Sequence, residues 1–318
     1  MLRCAVTGAY GYSGSYIARR LLDAGHGVIT LTNSPERPNT FGTRVAAKPL
    51  SFENIDTLTT SLTGVDVLVN TYWVRFNHPR FTQSDAVANT QVLFKAASLA
   101  GVRRIVHFSI TNPSLDSPLE YFRSKAILEQ CLKDSGISHA ILRPAILFGK
   151  EDILINNIAW VLRHVPVFGI CGDGQYKVQP IHVDDMAALA VEQSEGTKDV
   201  VIDAIGPETF TFREMVATIG ELIGKPRPII SLPPSFVWLT AQMIGRMVGD
   251  VMLTGPEIEG LMGNLLCTCS PPAGQTRLTD WIRENKDTLG TRYASEMARR
   301  LDRKSEYNKE VQSGVYQK

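Results

Sequence analysis

Thr7-Gly8-Ala9-Tyr10-Gly11-Tyr12-Ser13-Gly14 is the run of residues that decides the fold of this chain. Before it, residues 2–6 are apolar and have the pattern of a short buried strand. After it, residues 15–24 place Ile17, Leu21 and Leu22 on one helical face and Arg19 and Arg20 opposite. A strand, a glycine-rich turn and a helix in that order make a cradle for phosphate. Glycine permits the tight turn and close backbone approach, and the helix N-terminus offers unpaired N–H groups and the positive end of its dipole. Three glycines at three-residue spacing in this setting imply a dinucleotide site built on Thr7, Gly8, Gly11, Tyr12 and Gly14.

Strand and helix patterns alternate through the first half of the chain. Residues 28–32, 65–71, 104–108 and 139–142 have the composition of strands, while 54–62, 84–100 and 121–135 have helical spacing. Strands that are apolar on both faces require helices on both sides of a parallel sheet. The expected fold is α/β, a doubly wound parallel sheet of Rossmann type with a smaller, mostly helical C-terminal substrate lobe. Residues 1–150 form the nucleotide-binding core, with 178–206 returning to it. Residues 151–177 and 207–290 form the lobe, and 291–318 a charged tail expected to fray beyond Arg303.

A chain of 318 residues with 44% hydrophobic and 20% charged residues can bury a sizeable core. A formal net charge of +1 gives no basis for a nucleic-acid partner. Five scattered cysteines do not form a disulfide framework, and Cys267-Thr268-Cys269 lacks a second ligand pair, so no metal site is expected. The first strand pattern begins at once, so no signal peptide is expected, and no apolar run has the length of a membrane span. A cytoplasmic setting and a small-molecule substrate are expected; a homo-oligomer is left open. Residues 236–253 are apolar at helical spacing broken by Gly245 and Gly249. They are expected to pack over the site, with peripheral membrane contact as the alternative.

Tyr121 and Lys125 lie four apart at the start of a predicted helix, hence on one face. An ammonium beside a phenol favours the phenolate and makes the tyrosine a usable acid or base. The lysine could also hydrogen-bond a cofactor ribose. The pair follows the strand 104–108, on the edge of the sheet where strand C-termini and the glycine turn converge.

Together these motifs resemble the short-chain dehydrogenase/reductase superfamily in its extended, atypical branch. Asp66, Asn89, the Tyr121/Lys125 pair, Leu142-Arg143-Pro144-Ala145 and Ile181-His182-Val183-Asp184-Asp185 stand where that superfamily carries similar residues. The stretch 125–185, with Leu147-Phe148-Gly149-Lys150-Glu151-Asp152, is similar to the nucleotide-binding accessory-subunit group of respiratory complex I and to NmrA-like proteins. The resemblance covers residues 1–225. It implies hydride exchange with a pyridine nucleotide, Tyr121 passing the proton, and Thr71 and Pro144 as further cofactor contacts. It also implies a serine or threonine that polarises the substrate oxygen. That position falls on Ile110, so Ser109 or Thr111 is the candidate donor.

Cofactor choice depends on what meets the adenosine ribose after the second strand. There the chain reads Thr32-Asn33-Ser34-Pro35-Glu36-Arg37, without the acid that selects NAD at the first position, and with hydroxyls and an arginine able to hold a phosphate. NADP is favoured and NAD is the alternative. The residues fit an oxidoreductase or epimerase acting on a carbonyl/alcohol centre. They also fit a nucleotide-binding redox sensor or an assembly or structural subunit without chemistry of its own, which the Ile110 departure supports.

Overall fold

Each apolar strand of the first half needs both faces covered, and the chain supplies the cover by returning through a helix after nearly every strand. The computed structural model describes residues 1–302. Its first half runs β1 (Arg3–Thr7), α1 (Tyr12–Asp23), β2 (Gly27–Thr32), β3 (Val45–Pro49), α2 (Ile55–Ser61), β4 (Val67–Asn70), α3 (Gln83–Leu99), β5 (Arg104–Phe108), α4 (Glu120–Asp134) and β6 (Ser138–Pro144). There follow β7 (Ile146–Phe148), α5 (Leu154–His164), β8 (Phe168–Cys171), β9 (Lys177–Val178), β10 (Pro180–His182), α6 (Val183–Glu195) and β11 (Val200–Ala204). Then come β12 (Phe210–Thr211), α7 (Phe212–Leu222), β13 (Ile229–Leu232), α8 (Pro234–Val248), α9 (Gly255–Met262), α10 (Leu278–Asn285) and α11 (Glu296–Leu301).

Seven strands pair in parallel in the order β11-β6-β5-β4-β1-β2-β3, a Rossmann-like sheet. Strand order reverses between β1 and β4, and the crevice of such a sheet opens at the C-terminal ends of these two strands. Side-chain alternation along β1 shows how both faces are filled. Cys4 and Val6 join Ile17, Leu21 and Met186 from α1 and α6, while Ala5 joins Leu58, Leu93 and Leu132 from α2, α3 and α4. A further core, with Phe148, Ile158, Met215, Ile219 and Ile282, unites α5, α7 and α10.

The expected strands after Gly27, Gly64, Gly101 and Gly136 are present, and residues 200–204 add the last strand of the sheet beside β6. The edge strand β3 was not foreseen. Only Val45 is buried in it, so it lacks the apolar pattern by which its neighbours were read. The helix at 234–248 runs through Gly245 instead of breaking there, because the missing side chain admits the Asp250 carbonyl; an added Cβ would stand 2.6 Å from that oxygen. It ends at Gly249, whose φ of +65° is left-handed. Phe236, Leu239, Met243 and Met247 of this helix are exposed, which does not fit the expectation that the whole stretch packs inward. No helix among the described residues is long and apolar enough to cross a membrane. The tail beyond Arg303 lies outside the described residues.

The glycine turn is held by its own backbone. Gly8 has φ +70° and its carbonyl accepts the Gly11 N–H at 2.8 Å. Gly14 packs on the same carbonyl so closely that a Cβ there would stand 2.2 Å from the Gly8 oxygen. Gly14→Ala is therefore expected to cost about 3 kcal/mol, the upper range for overpacking, in thermal or urea denaturation. Gly11→Ala, whose Cβ would lie 3.2 Å from that oxygen, is expected to cost distinctly less.

Candidate dinucleotide-binding site

The floor of the crevice is stitched by two threonines. Thr71 N donates to Thr7 Oγ1 at 2.7 Å and Thr71 Oγ1 donates to the Thr7 carbonyl at 2.6 Å, binding the ends of β1 and β4 together. Above them, α1 starts after Gly11 with no side chain capping it and no acidic residue in its first turn. Its first N–H groups and dipole are thus not neutralised by a side chain of their own helix, the electrostatic condition for holding an anion. Beyond β2, Thr32 Oγ1 accepts from Ser34 N at 3.0 Å, and Arg37 Nη2 donates to the Asp302 carbonyl at 3.4 Å. No carboxylate occupies positions 32–34. Cavities of about 300 and 580 Å³ flank the outer side of α1, and no residue of the glycine turn lines either.

At the other end lies Trp73, just past β4. Lys125 is only 2% exposed, and its Nζ sits 4.0 Å from the Trp73 ring centre while donating to the Phe108 carbonyl at 2.8 Å. Tyr121 packs edge-to-face on the same indole, ring centres 5.6 Å apart. Both residues of the pair therefore face one ring. Their electrostatics depart from expectation. Burial, with Glu257 adding to it, holds the Tyr121 phenol well above its ordinary range against the opposing influence of Arg75, Arg300 and Trp73. Lys125 is not what governs this tyrosine. Burial pushes the lysine itself down to about 7, with Glu129 acting the other way.

The hydroxyls expected to polarise a substrate are both committed elsewhere. Ser109 Oγ donates to Glu129 Oε1 at 2.6 Å, and Glu129 also takes both arms of Arg143 at 2.8 and 2.6 Å. Thr111 Oγ1 donates to the Leu265 carbonyl at 2.7 Å. Between them Ile110 is buried with Leu119 and Phe122, against Tyr121, Leu265 and Leu266. Each hydroxyl proton already has an acceptor, so either hydroxyl would have to give up that bond to serve the donor role expected of it. Pro144 closes β6, and its carbonyl accepts from Thr111 N at 3.1 Å.

Trp73 and Arg75 are not among the site residues expected from the sequence. Arg75 Nε meets Glu257 Oε1 at 2.5 Å and its Nη2 donates to the Met252 carbonyl at 3.0 Å, so the loop after β4 is clamped to α9. A tryptophan and an arginine directly after the switch-point strand were the signal. Asp184 and Asp185 open α6, but the residue that caps the helix is His182. Asp184 takes Arg20 of α1 at 2.8 and 2.6 Å and Asp185 accepts Gln275 N and Thr276 N.

The folded chain holds Lys125 near 7, while an unfolded lysine titrates near 10.5. Between those values the unfolded state binds the extra proton, so this position favours folding more as pH rises from 7 towards 10.5 and least below 7. In urea melts across that range the stability of the parent minus that of Lys125→Met is expected to grow with pH. A difference independent of pH would refute a buried, readily neutralised amine.

A family model described as the NAD dependent epimerase/dehydratase family matches residues 4–201. Over 271 residues the chain is 25% identical to NADH dehydrogenase (ubiquinone) 1 alpha subcomplex subunit 9, mitochondrial, of Arabidopsis thaliana, spanning 80% of this chain and 67% of that one. It is 30% identical over 227 residues to the (4-alkanoyl-5-oxo-2,5-dihydrofuran-3-yl)methyl phosphate reductase of Streptomyces griseus, spanning 70% and 74%. The Citrobacter sp. triphenylmethane reductase complexed with NADP(H) shares the fold at TM-score 0.71 and 18% identity, with 89% and 99% of the chains covered. An Escherichia coli NADPH-dependent quinone oxidoreductase complexed with NADPH does so at 0.70 and 21%, with 88% and 99% covered. With the glycine turn, the strand order and a model match over most of the sheet in agreement, this chain belongs to the NAD dependent epimerase/dehydratase family.

Proposed function

We propose that this chain binds NADP(H) at the glycine turn and reduces a small molecule held between Tyr121 and the C-terminal segment around Leu265. The observation that carries this reading is the uncapped start of α1 above a turn so tight that Gly14 admits no side chain. The backbone of Gly8, Gly11, Tyr12 and Gly14 fits a diphosphate, over the floor made by Thr7 and Thr71. Thr32, Asn33, Ser34 and Arg37 fit a 2′-phosphorylated ribose, because they offer donors and no carboxylate. Lys125 and Pro144 border the reactive end. Bound there, the reduced nucleotide supplies hydride.

The chain's own contribution is then a proton and a dry wall. A phenol held above its usual range stays protonated at neutral pH, so Tyr121 suits the delivery of a proton to a reduced oxygen better than its removal from an alcohol. Ile110, Leu119 and Phe122 keep water from it. A second reading, a nucleotide-binding sensor or assembly subunit without turnover, is favoured by one specific observation: the lysine of the pair is spent on Trp73 and the Phe108 carbonyl.

Two variants test these assignments. Arg37→Ala is expected to weaken NADPH binding about tenfold in calorimetry, the loss of one charge-assisted contact, and to leave NADH within about twofold. An equal loss for both nucleotides would remove Arg37 from phosphate recognition. Tyr121→Phe is expected to lower NADPH-dependent reduction of aldehyde or quinone probes about a hundredfold with nucleotide affinity retained. Intact binding with turnover unaffected by this change would end the proton-donor role.

A further inference from the structure

The stretch from Leu289 to Asp302 follows a course that core packing alone does not require. It is laid along α5: Ala294 and Asn157 exchange two hydrogen bonds at 3.0 and 2.8 Å, and the Tyr293 ring meets Trp160 edge-to-face at 5.3 Å. One carboxylate then pins the start of α11. Asp250 accepts from Tyr293 Oη at 2.9 Å, Glu296 N at 3.0 Å and Met297 N at 2.9 Å.

From that anchor α11 and the residue after it touch three loops, two following β2 and β4 of the seven-stranded sheet and one following β7. Arg299 donates to the Glu151 carbonyl, after β7. The Arg300 guanidinium lies 5.0 Å from the centre of the Phe81 ring, after β4. The Asp302 carbonyl accepts from Arg37, after β2. Loops after β2 and β4 flank the switch-point crevice, so the segment of α11 and Asp302, in contact with both, bridges its two sides. What it presents to Arg37 is a carbonyl oxygen, an acceptor of the same kind that a phosphate would present.

We infer that residues 293–302 are an autoinhibitory strap: they close the dinucleotide crevice, and a nucleotide enters by displacing them and taking over Arg37 from the Asp302 carbonyl. This rests on the proposed NADP(H) site and adds its regulation. Energetically the strap is a built-in competitor. Apparent affinity falls by the fraction of molecules in which the strap is open, and anything that loosens the Asp250 anchor restores it.

The experiment measures NADPH affinity of the full-length parent and of Asp250→Ala, together with trypsin cleavage at Arg299 and Arg300 in the parent with and without NADPH, read by mass spectrometry. The variant is expected to bind NADPH about tenfold more tightly, and saturating NADPH to speed cleavage at those two arginines several-fold. Binding by the variant alone would support the strap more strongly still. NADPH bound equally by parent and variant, with cleavage unchanged or slowed, overturns the strap and leaves the site standing. Binding by neither overturns the site and the strap together. The cleavage measurement uses the parent alone, so it decides the matter even where Asp250→Ala does not fold.

Discussion

Gly14 rests on the carbonyl of Gly8, and the nucleotide half of this molecule is arranged around that contact. With no side chain between them, α1 starts immediately above β1 and turns its first N–H groups toward the crevice. The same placement brings the outer face of α1 against α6, where Arg20 of α1 finds Asp184 and Tyr16 reaches Glu151 at 2.7 Å. Gly149 shows the same economy of space on the far side, since a Cβ there would come within 2.7 Å of Val183 and 3.0 Å of the Tyr12 hydroxyl. One close approach thus fixes the helix, the helix fixes the loops beside it, and the anion-holding geometry follows from all three.

The reactive corner is governed by a different constraint, a cation with almost no water. An ammonium at 2% exposure must find compensation or lose its proton, and Lys125 does some of each through the Phe108 carbonyl, the face of Trp73 and a lowered pKa. That commitment takes the lysine away from Tyr121, whose surroundings then raise its pKa instead of lowering it. Burial decides the direction of both shifts, and Trp73 packs against both side chains. The tryptophan is delivered by the loop after β4, which the Arg75–Glu257 pair ties to α9. The C-terminal segment acts on the tyrosine through Glu257, which adds to the effect of burial, and Arg300, which opposes it.

These two constraints were not equally legible in the sequence. The glycine turn could be read because its chemistry is local: strand, turn and helix are contiguous, and glycine has few other reasons to recur at that spacing. The sheet was readable for a similar reason, since β-branched and apolar runs bounded by glycines mark strands buried on both faces; β3 escaped because an edge strand with one buried residue carries no such pattern. Tyr121 and Lys125 were placed correctly on one helix, yet what they do depends on Trp73, 48 and 52 positions away in the chain by subtraction of their numbers. Ser109 and Thr111 show the same dependence, because Glu129 and Leu265 accept their protons across the fold. Spacing reports which residues share a face, while partners that arrive from another element decide their chemistry.

Arg37 shows where that distinction matters most. As a sequence feature it is an arginine beyond the second strand, suited to a 2′-phosphate. In the folded chain the same guanidinium holds a main-chain carbonyl from the other end of the protein, 265 residues on. The two roles draw on the same guanidinium, whose Nη2 already serves the Asp302 carbonyl, so recognition of the adenosine end and closure of the crevice are coupled. A nucleotide that lacked the phosphate would have less to offer Arg37 in exchange for Asp302. Selectivity for the phosphorylated cofactor then acquires a second source besides direct contact, namely the ability to win that arginine from the strap.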